Sequence, residues 1–211
     1  MSIPMSTRSA SPGRRREATD QRRREILDAS LDLFLRQGIP GTTMPQICAA
    51  SGASTGSVYH LFDGKDDIAM TLFVEGMRDY ESTMLHSIER KTSLRSCIRC
   101  LISTHLRIVV EAPALSLYLA RLGLADAQGD FNVKYRELSD HFAQTIWIRL
   151  KPFAERGEIV SLPQELYFSQ IIGPAAHLAR AWLLGRIDSD LLSAVEPLAE
   201  AAWKSLRIKS T

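Results

Sequence analysis

Apolar residues in this chain return chiefly every three or four positions, the spacing of one helical face, so it reads as helices packed on helices. Ile26, Ala29, Ser30, Leu33, Phe34 and Gln37 fall on one helical face, widened by Leu27 and Leu31, and Gly38 supplies the stop. Similar patterns run from about 65 to 90, 93 to 111, 113 to 125, 131 to 156, 163 to 186 and 189 to 207, punctuated by Pro113, Gly129, Gly157 and Pro163. No run alternates apolar and polar residues between hairpin-type turns. The expectation is an all-α protein of about nine helices with no internal repeat.

At 211 residues and 45% hydrophobic content the chain can bury a sizeable core. Its net charge of +2 demands no polyanionic partner, yet the charge is unevenly placed. Arg8, Arg14, Arg15, Arg16, Arg22, Arg23 and Arg24 crowd one end, opposed there only by Glu17 and Asp20. Such an arm suits a negative surface, nucleic acid or membrane, or serves as a solubilising tail. Residues 1–18, poor in apolar side chains, read as disordered. Cys48, Cys97 and Cys100 are too few and odd in number for a disulfide framework, which points to a reducing compartment. No apolar segment of a secretory signal follows the arginines, and the most apolar run, Ile171 to Leu184, is broken by His177 and Arg180. The expected location is cytoplasmic, with no membrane contact.

The region from Thr42 to Asp67 breaks the pattern with small and polar residues. Thr43 as N-cap places Pro45 in a first helical turn, where its missing N–H costs nothing, and Gln46 at the third position completes a capping box. Gly52 ends this second helix, Ser54 caps a third through Leu61, and Gly64 precedes a long fourth helix from Lys65 or Asp66. Two short helices joined by a glycine turn form the helix-turn-helix pattern, whose second helix enters the major groove. Ser54, Thr55, Gly56 and Ser57 at the tip of the third helix let the backbone approach base edges or phosphates. Tyr59 and His60 add a hydroxyl and an imidazole one turn on, while Val58, Leu61 and Phe62 anchor the helix. Lys65, at a helix start, is placed for a phosphate.

The run ILDASLDLFLRQGIPGTTMPQICAASGASTGSVYHLFDGKDDIAMTL, Ile26 to Leu72, resembles the N-terminal DNA-binding domain of the tetracycline-repressor (TetR) family. Ile-Leu-x-Ala with Phe and Gly, Thr-Thr, Ile-x-x-x-x-Gly, Ser-x-Gly-x-x-Tyr and Phe-x-x-Lys follow in order. The resemblance implies a three-helix DNA-binding domain over residues 19–65 and a larger helical ligand-binding and dimerisation domain over 66–211. It implies DNA contacts from Thr43, Ser54, Thr55, Gly56, Ser57, Tyr59, His60 and Lys65, with Tyr59, His60 and Lys65 chiefly on phosphates. Many members carry Tyr-x-His or Tyr-Tyr-His-Phe before the loop, whereas here Tyr59-His60-Leu61-Phe62 places leucine where that histidine stands.

In the larger domain Gly173-Pro174 falls inside a helical pattern and is expected to kink it. The final helix is apolar over a wide arc. Both features suit a homodimer whose last two helices pair with their symmetry mates, which would set two recognition helices on a palindromic operator of double-stranded DNA. Candidate pocket residues for a small-molecule inducer, apolar or aromatic, are Phe73, Met77, Tyr80, Met84, His105, Tyr118, Arg121, Phe142, Trp147 and His177. Cys97-Ile-Arg-Cys100 sets two thiols on one helix face, and without a second pair or a histidine cluster they read as buried, inert cysteines. No catalytic residue, metal site or cofactor is assigned, since G-x-S-x-G, H-E-x-x-H and a phosphate-cradling glycine loop are all missing. The leading expectation is a DNA-binding transcriptional regulator, a repressor released by ligand. The alternatives are a helical DNA-binding dimer that senses nothing, and an enzyme.

Overall fold

The computed structural model describes residues 12–124 and 130–208. They form nine α-helices: α1 Pro12–Gly41, α2 Met44–Ser51, α3 Thr55–Leu61, α4 Lys65–Ile88, α5 Leu94–Glu111, α6 Pro113–Leu124, α7 Asp130–Glu155, α8 Gln164–Leu183 and α9 Val195–Leu206. A 3-10 turn, Leu191–Ala194, leads into α9, and no strand forms among the described residues beyond one isolated bridge between Ile159 and Arg207. The all-α expectation holds. The chain packs as two compact units, Met1–Leu72 and Phe73–Thr211, and α4 contributes to both.

In the first unit each helix end has a local cause. Gly38 adopts φ 75°, which an L side chain resists, and helical geometry stops there although the coil runs on to Gly41. Thr43 Oγ1 accepts from Gln46 N while Gln46 Oε1 accepts from Thr43 N at 2.9 Å, so the expected capping box forms. Ile26, Phe34, Ile47, Val58, Phe62 and Ile68 are buried together as the unit's core. One expectation changes: helix α1 begins at Pro12, inside the stretch read as disordered, while residues 1–11 lie outside the described residues. Proline is suited to a first helical turn, and the Arg, Glu and Ala that follow are good helix formers.

In the second unit α5 is the central element. Leu94, Cys97, Ile98, Leu101, Ile102 and Leu106 recur at helical spacing and are buried, with α8 and α9 packed on them. Outside this apolar seam Arg95 meets Glu200 at 2.7 Å and Arg99 meets Glu196 at 2.6 Å, exposed pairs that add little stability but fix the register of α9 on α5. Helix α8 is continuous through Pro174. Gln170, Gly173 and Pro174 are exposed, so the ring lies on the outer side of α8. Gly76 in α4 marks a close approach: a Cβ there would lie 3.1 Å from Leu115 Cδ1 and 3.3 Å from Leu119 Cδ1 on α6. Gly76→Val should therefore overpack the α4–α6 contact and destabilise the protein by about 1–3 kcal/mol, read as a lower urea midpoint with unchanged slope.

Candidate functional site

Helix α3 is only seven residues long and is held by its ends and one buried side. Ser54 Oγ accepts from Ser57 N at 3.2 Å, and Phe62 N returns to Val58 O at 2.9 Å. Val58 and Phe62 point into the core, and the Arg23 guanidinium lies 5.6 Å from the centre of the Phe62 ring. Arg23 is thus a packing residue as well as part of the basic end, which the sequence reading missed. With Val58 buried, helical geometry turns Thr55, Gly56, Tyr59 and His60 outward, and all four are exposed. Thr43 and Ser54 are exposed too, while Ser57 is half-buried.

Two of these residues have no reason within the fold to be what they are. A Cβ on Gly56 would meet nothing within 4 Å and its φ is not positive, so neither packing nor backbone conformation asks for glycine. Glycine inside a helix costs roughly 0.5–1 kcal/mol relative to alanine. What it provides is a bare backbone on the outer face of α3. Tyr59, an aromatic side chain left 52% exposed, stands one turn further on. A flat, hydroxyl-bearing surface with an uncovered backbone suits the groove and phosphates of DNA.

Lys65 has a role the sequence reading did not give it. Its ammonium donates to Pro40 O at 3.0 Å and to Thr42 O at 2.9 Å, tying the start of α4 to the corner between α1 and α2, next to Thr43. An ammonium has three protons, so one remains for an outside acceptor. A groove between α1 and α2, lined by Glu25, Asp28 and Asp32 with Ala29 and Ala50, carries three carboxylates and is unsuited to a polyanion. Among the described residues no group of His, Cys, Asp and Glu could hold a metal ion.

The pocket candidates separate in the second unit. Tyr80 Oη and His105 Nδ1 are 3.0 Å apart, Tyr80 packs edge-on against Phe142 at 5.7 Å, and Phe142 packs against Phe168 at 5.1 Å. Burial pushes the His105 imidazolium down to about 4 and raises the Tyr80 phenol, so both are neutral across ordinary pH. His105 Nε2 is buried without a partner among the described residues, an omission that ordinarily costs about 1–3 kcal/mol. Met84 and Tyr118 are buried in packing, and burial raises the Tyr118 phenol. Met77 is half-buried. Phe73 is buried and tilts against Tyr135 at 6.1 Å. Trp147 stacks on Tyr167 at 4.8 Å, and Tyr167 Oη donates to Val160 O while accepting from Leu162 N, so that pair secures the turn before α8. Arg121 and His177 are exposed. Cys97 is buried, and its desolvation, with Cys100 adding and Lys91 opposing, pushes the thiol up to about 11, which keeps it protonated and unreactive.

Residues 26–71 match the family model of the bacterial regulatory proteins of the tetR family. That segment carries the DNA-binding domain of the TetR family. It is the segment that forms the helix-turn-helix unit, and the protein is a DNA-binding transcriptional regulator. Over 170 residues it is 22% identical to the fatty acid metabolism regulator protein of Bacillus subtilis, covering 80% of this chain and 87% of that one. It is 30% identical over 101 residues to the HTH-type transcriptional regulator BetI of Burkholderia lata, a match spanning 47% of this chain and 52% of BetI. The solved structure of the transcriptional regulator FadR from Bacillus subtilis in complex with stearoyl-CoA superposes with a TM-score of 0.75 at 21% identity, over 86% of this chain and 97% of that one. At that identity the likeness speaks for the fold.

Gly56→Ala should raise the unfolding free energy by about 0.5–1 kcal/mol, measured by urea titration, because nothing in the fold opposes the added methyl.

Proposed function

We propose that this regulator is a homodimeric repressor that leaves a palindromic operator when an apolar, acyl-type ligand enters its second unit. The observation that carries the DNA half is the outer face of α3, where Gly56 and the exposed Tyr59 have no role in the fold. Thr55, Gly56 and Ser57 face bases on this reading. Tyr59 and the third proton of Lys65 take phosphates, and Thr43, Ser54 and His60 flank them. The basic residues of 1–18 add a sequence-independent electrostatic attraction. No catalytic step is assigned to the chain, and it works in the cytoplasm. Among its described residues no single helix is long and apolar enough to cross a membrane.

Dimerisation is supported by one side of α8 and α9. Leu166, Gly173, Pro174, His177 and Leu184 recur at helical spacing on α8 and just beyond its end, and all are exposed in the single chain. Leu192, Ala201 and Ile208, in and around α9, are exposed as well. Small residues flanked by exposed leucines allow two helices to approach closely.

The ligand class rests on the neutral aromatic interior around Tyr80, His105, Phe142 and Phe168, together with the stearoyl-CoA complex of the structural relative. Tyr80 and Lys65 lie on the same helix, α4, so a ligand that repacks around Tyr80 acts on the helix that opens at the DNA-binding corner. Release follows if ligand binds more tightly to the conformation that DNA disfavours.

The test is a mobility shift on the DNA upstream of the protein's own gene. Wild-type protein should bind with affinity that falls steeply with salt; Tyr59→Ala should weaken binding with little change of salt slope, and Lys65→Ala should weaken it and lower the slope by about one. Added stearoyl-CoA should release the DNA. Unchanged affinity and slope in both variants would refute the contact assignment, and DNA retained at saturating acyl thioester would refute the ligand class.

A further inference from the structure

The interior of the second unit holds a polar pair that the fold uses only in part. Tyr80 Oη and His105 Nδ1 are within hydrogen-bond distance, and His105 Nε2 is buried with no partner among the described residues. Two hydrogens are shared among three heteroatoms, which leaves two arrangements. If Tyr80 Oη–H donates to Nδ1, the ring hydrogen sits on Nε2 and a single N–H is left over. If Nδ1–H donates to Tyr80 instead, both the tyrosine hydrogen and the Nε2 lone pair go without a partner. The first arrangement satisfies more of the buried groups, so the unused group is one neutral N–H donor.

Its surroundings limit what that donor can meet. The ring contacts of the pair are aromatic: Tyr80 stands edge-on to His105 at 5.8 Å and to Phe142 at 5.7 Å, and Phe142 continues to Phe168. A carboxylate here would exchange its hydration shell for a single neutral N–H, a cost that a dry interior does not repay. An uncharged carbonyl oxygen needs only the N–H. Resting on the reading of an acyl-type ligand, we infer that His105 Nε2–H donates a hydrogen bond to the uncharged carbonyl of an ester, thioester or amide at the head of an apolar tail. Tyr80 is the positioning residue, since its hydroxyl fixes the tautomer that places the hydrogen on Nε2.

The experiment uses the full chain and three probes: methyl laurate, an alkane of the same chain length, and lauric acid at neutral pH. Displacement of an environment-sensitive fluorophore reads their affinities. Methyl laurate should bind about ten-fold more tightly than the alkane, the worth of one hydrogen bond in a dry site, and more tightly than laurate. In His105→Phe the ester-to-alkane ratio should fall to near one. Nitrogen NMR of the histidine-labelled wild type carries the test should that variant fail to fold. His105 should carry its hydrogen on Nε2, and that resonance should move with ester and stay with alkane. An unchanged ratio in His105→Phe, a hydrogen found on Nδ1, or no binding by any probe overturns the inference. If esters bind through His105 but no acyl compound releases DNA, the repressor reading fails and this inference stands. If acyl thioester releases DNA while the ratio ignores His105, the reverse holds.

Discussion

The ammonium of Lys65 donates to the carbonyls of Pro40 and Thr42, and the geometry of the DNA-binding unit depends on that pair of hydrogen bonds. The chain at the end of α1 has turned through Gly38 in a left-handed conformation, which leaves carbonyls that no helix can satisfy. One side chain from the first residue of α4 takes two of them. The segment between these anchor points contains α2 and α3, so its two ends are fixed at a common corner. Thr42 Oγ1 to Gly38 O and Gln37 Nε2 to Gln46 Oε1 strengthen the same corner from within. Two helices of eight and seven residues are too short to persist alone, and this closure with the buried Ile47 and Val58 holds them in register.

The outer face of α3 follows from that closure. Because Val58 and Phe62 must face inward, Thr55, Gly56 and Tyr59 face outward, and the unit gives up helix propensity at Gly56 for a bare backbone there. The second unit shows a comparable concession inside. An apolar core centred on α5 keeps a Tyr80–His105 pair whose last donor nothing in the described chain accepts. In both places the chain carries a local cost that packing does not explain, and in both the cost falls where a partner of matching chemistry would remove it.

The caps and turns were legible in the sequence because their partners lie within three residues: Thr43 with Gln46, and Ser54 with Ser57. Helix periodicity gave the number of elements for the same reason. The Lys65 clamp, the Arg23–Phe62 contact and the Tyr80–His105 pair were not legible, since each joins residues far apart in sequence and exists only once the helices pack. Lys65 could be placed at a helix start, but not against two carbonyls. Pocket candidates chosen by residue type mixed packing residues such as Met84 and Trp147 with exposed ones such as Arg121 and His177. The start of α1 was missed because Arg, Ser, Pro and Gly suggest disorder, whereas Pro12 followed by Arg, Glu and Ala opens a helix.

The most direct measurement of the central claim is hydroxyl-radical footprinting of the protein with and without the DNA upstream of its gene. Tyr59 is a reactive aromatic ring left 52% exposed on α3, and Ile148, 61% exposed on α7, serves as the internal control. If the outer face of α3 reads DNA, oxidation of Tyr59 falls several-fold at saturating DNA while Ile148 is unaffected. Tyr59 oxidised at the same rate in the bound protein would contradict the account.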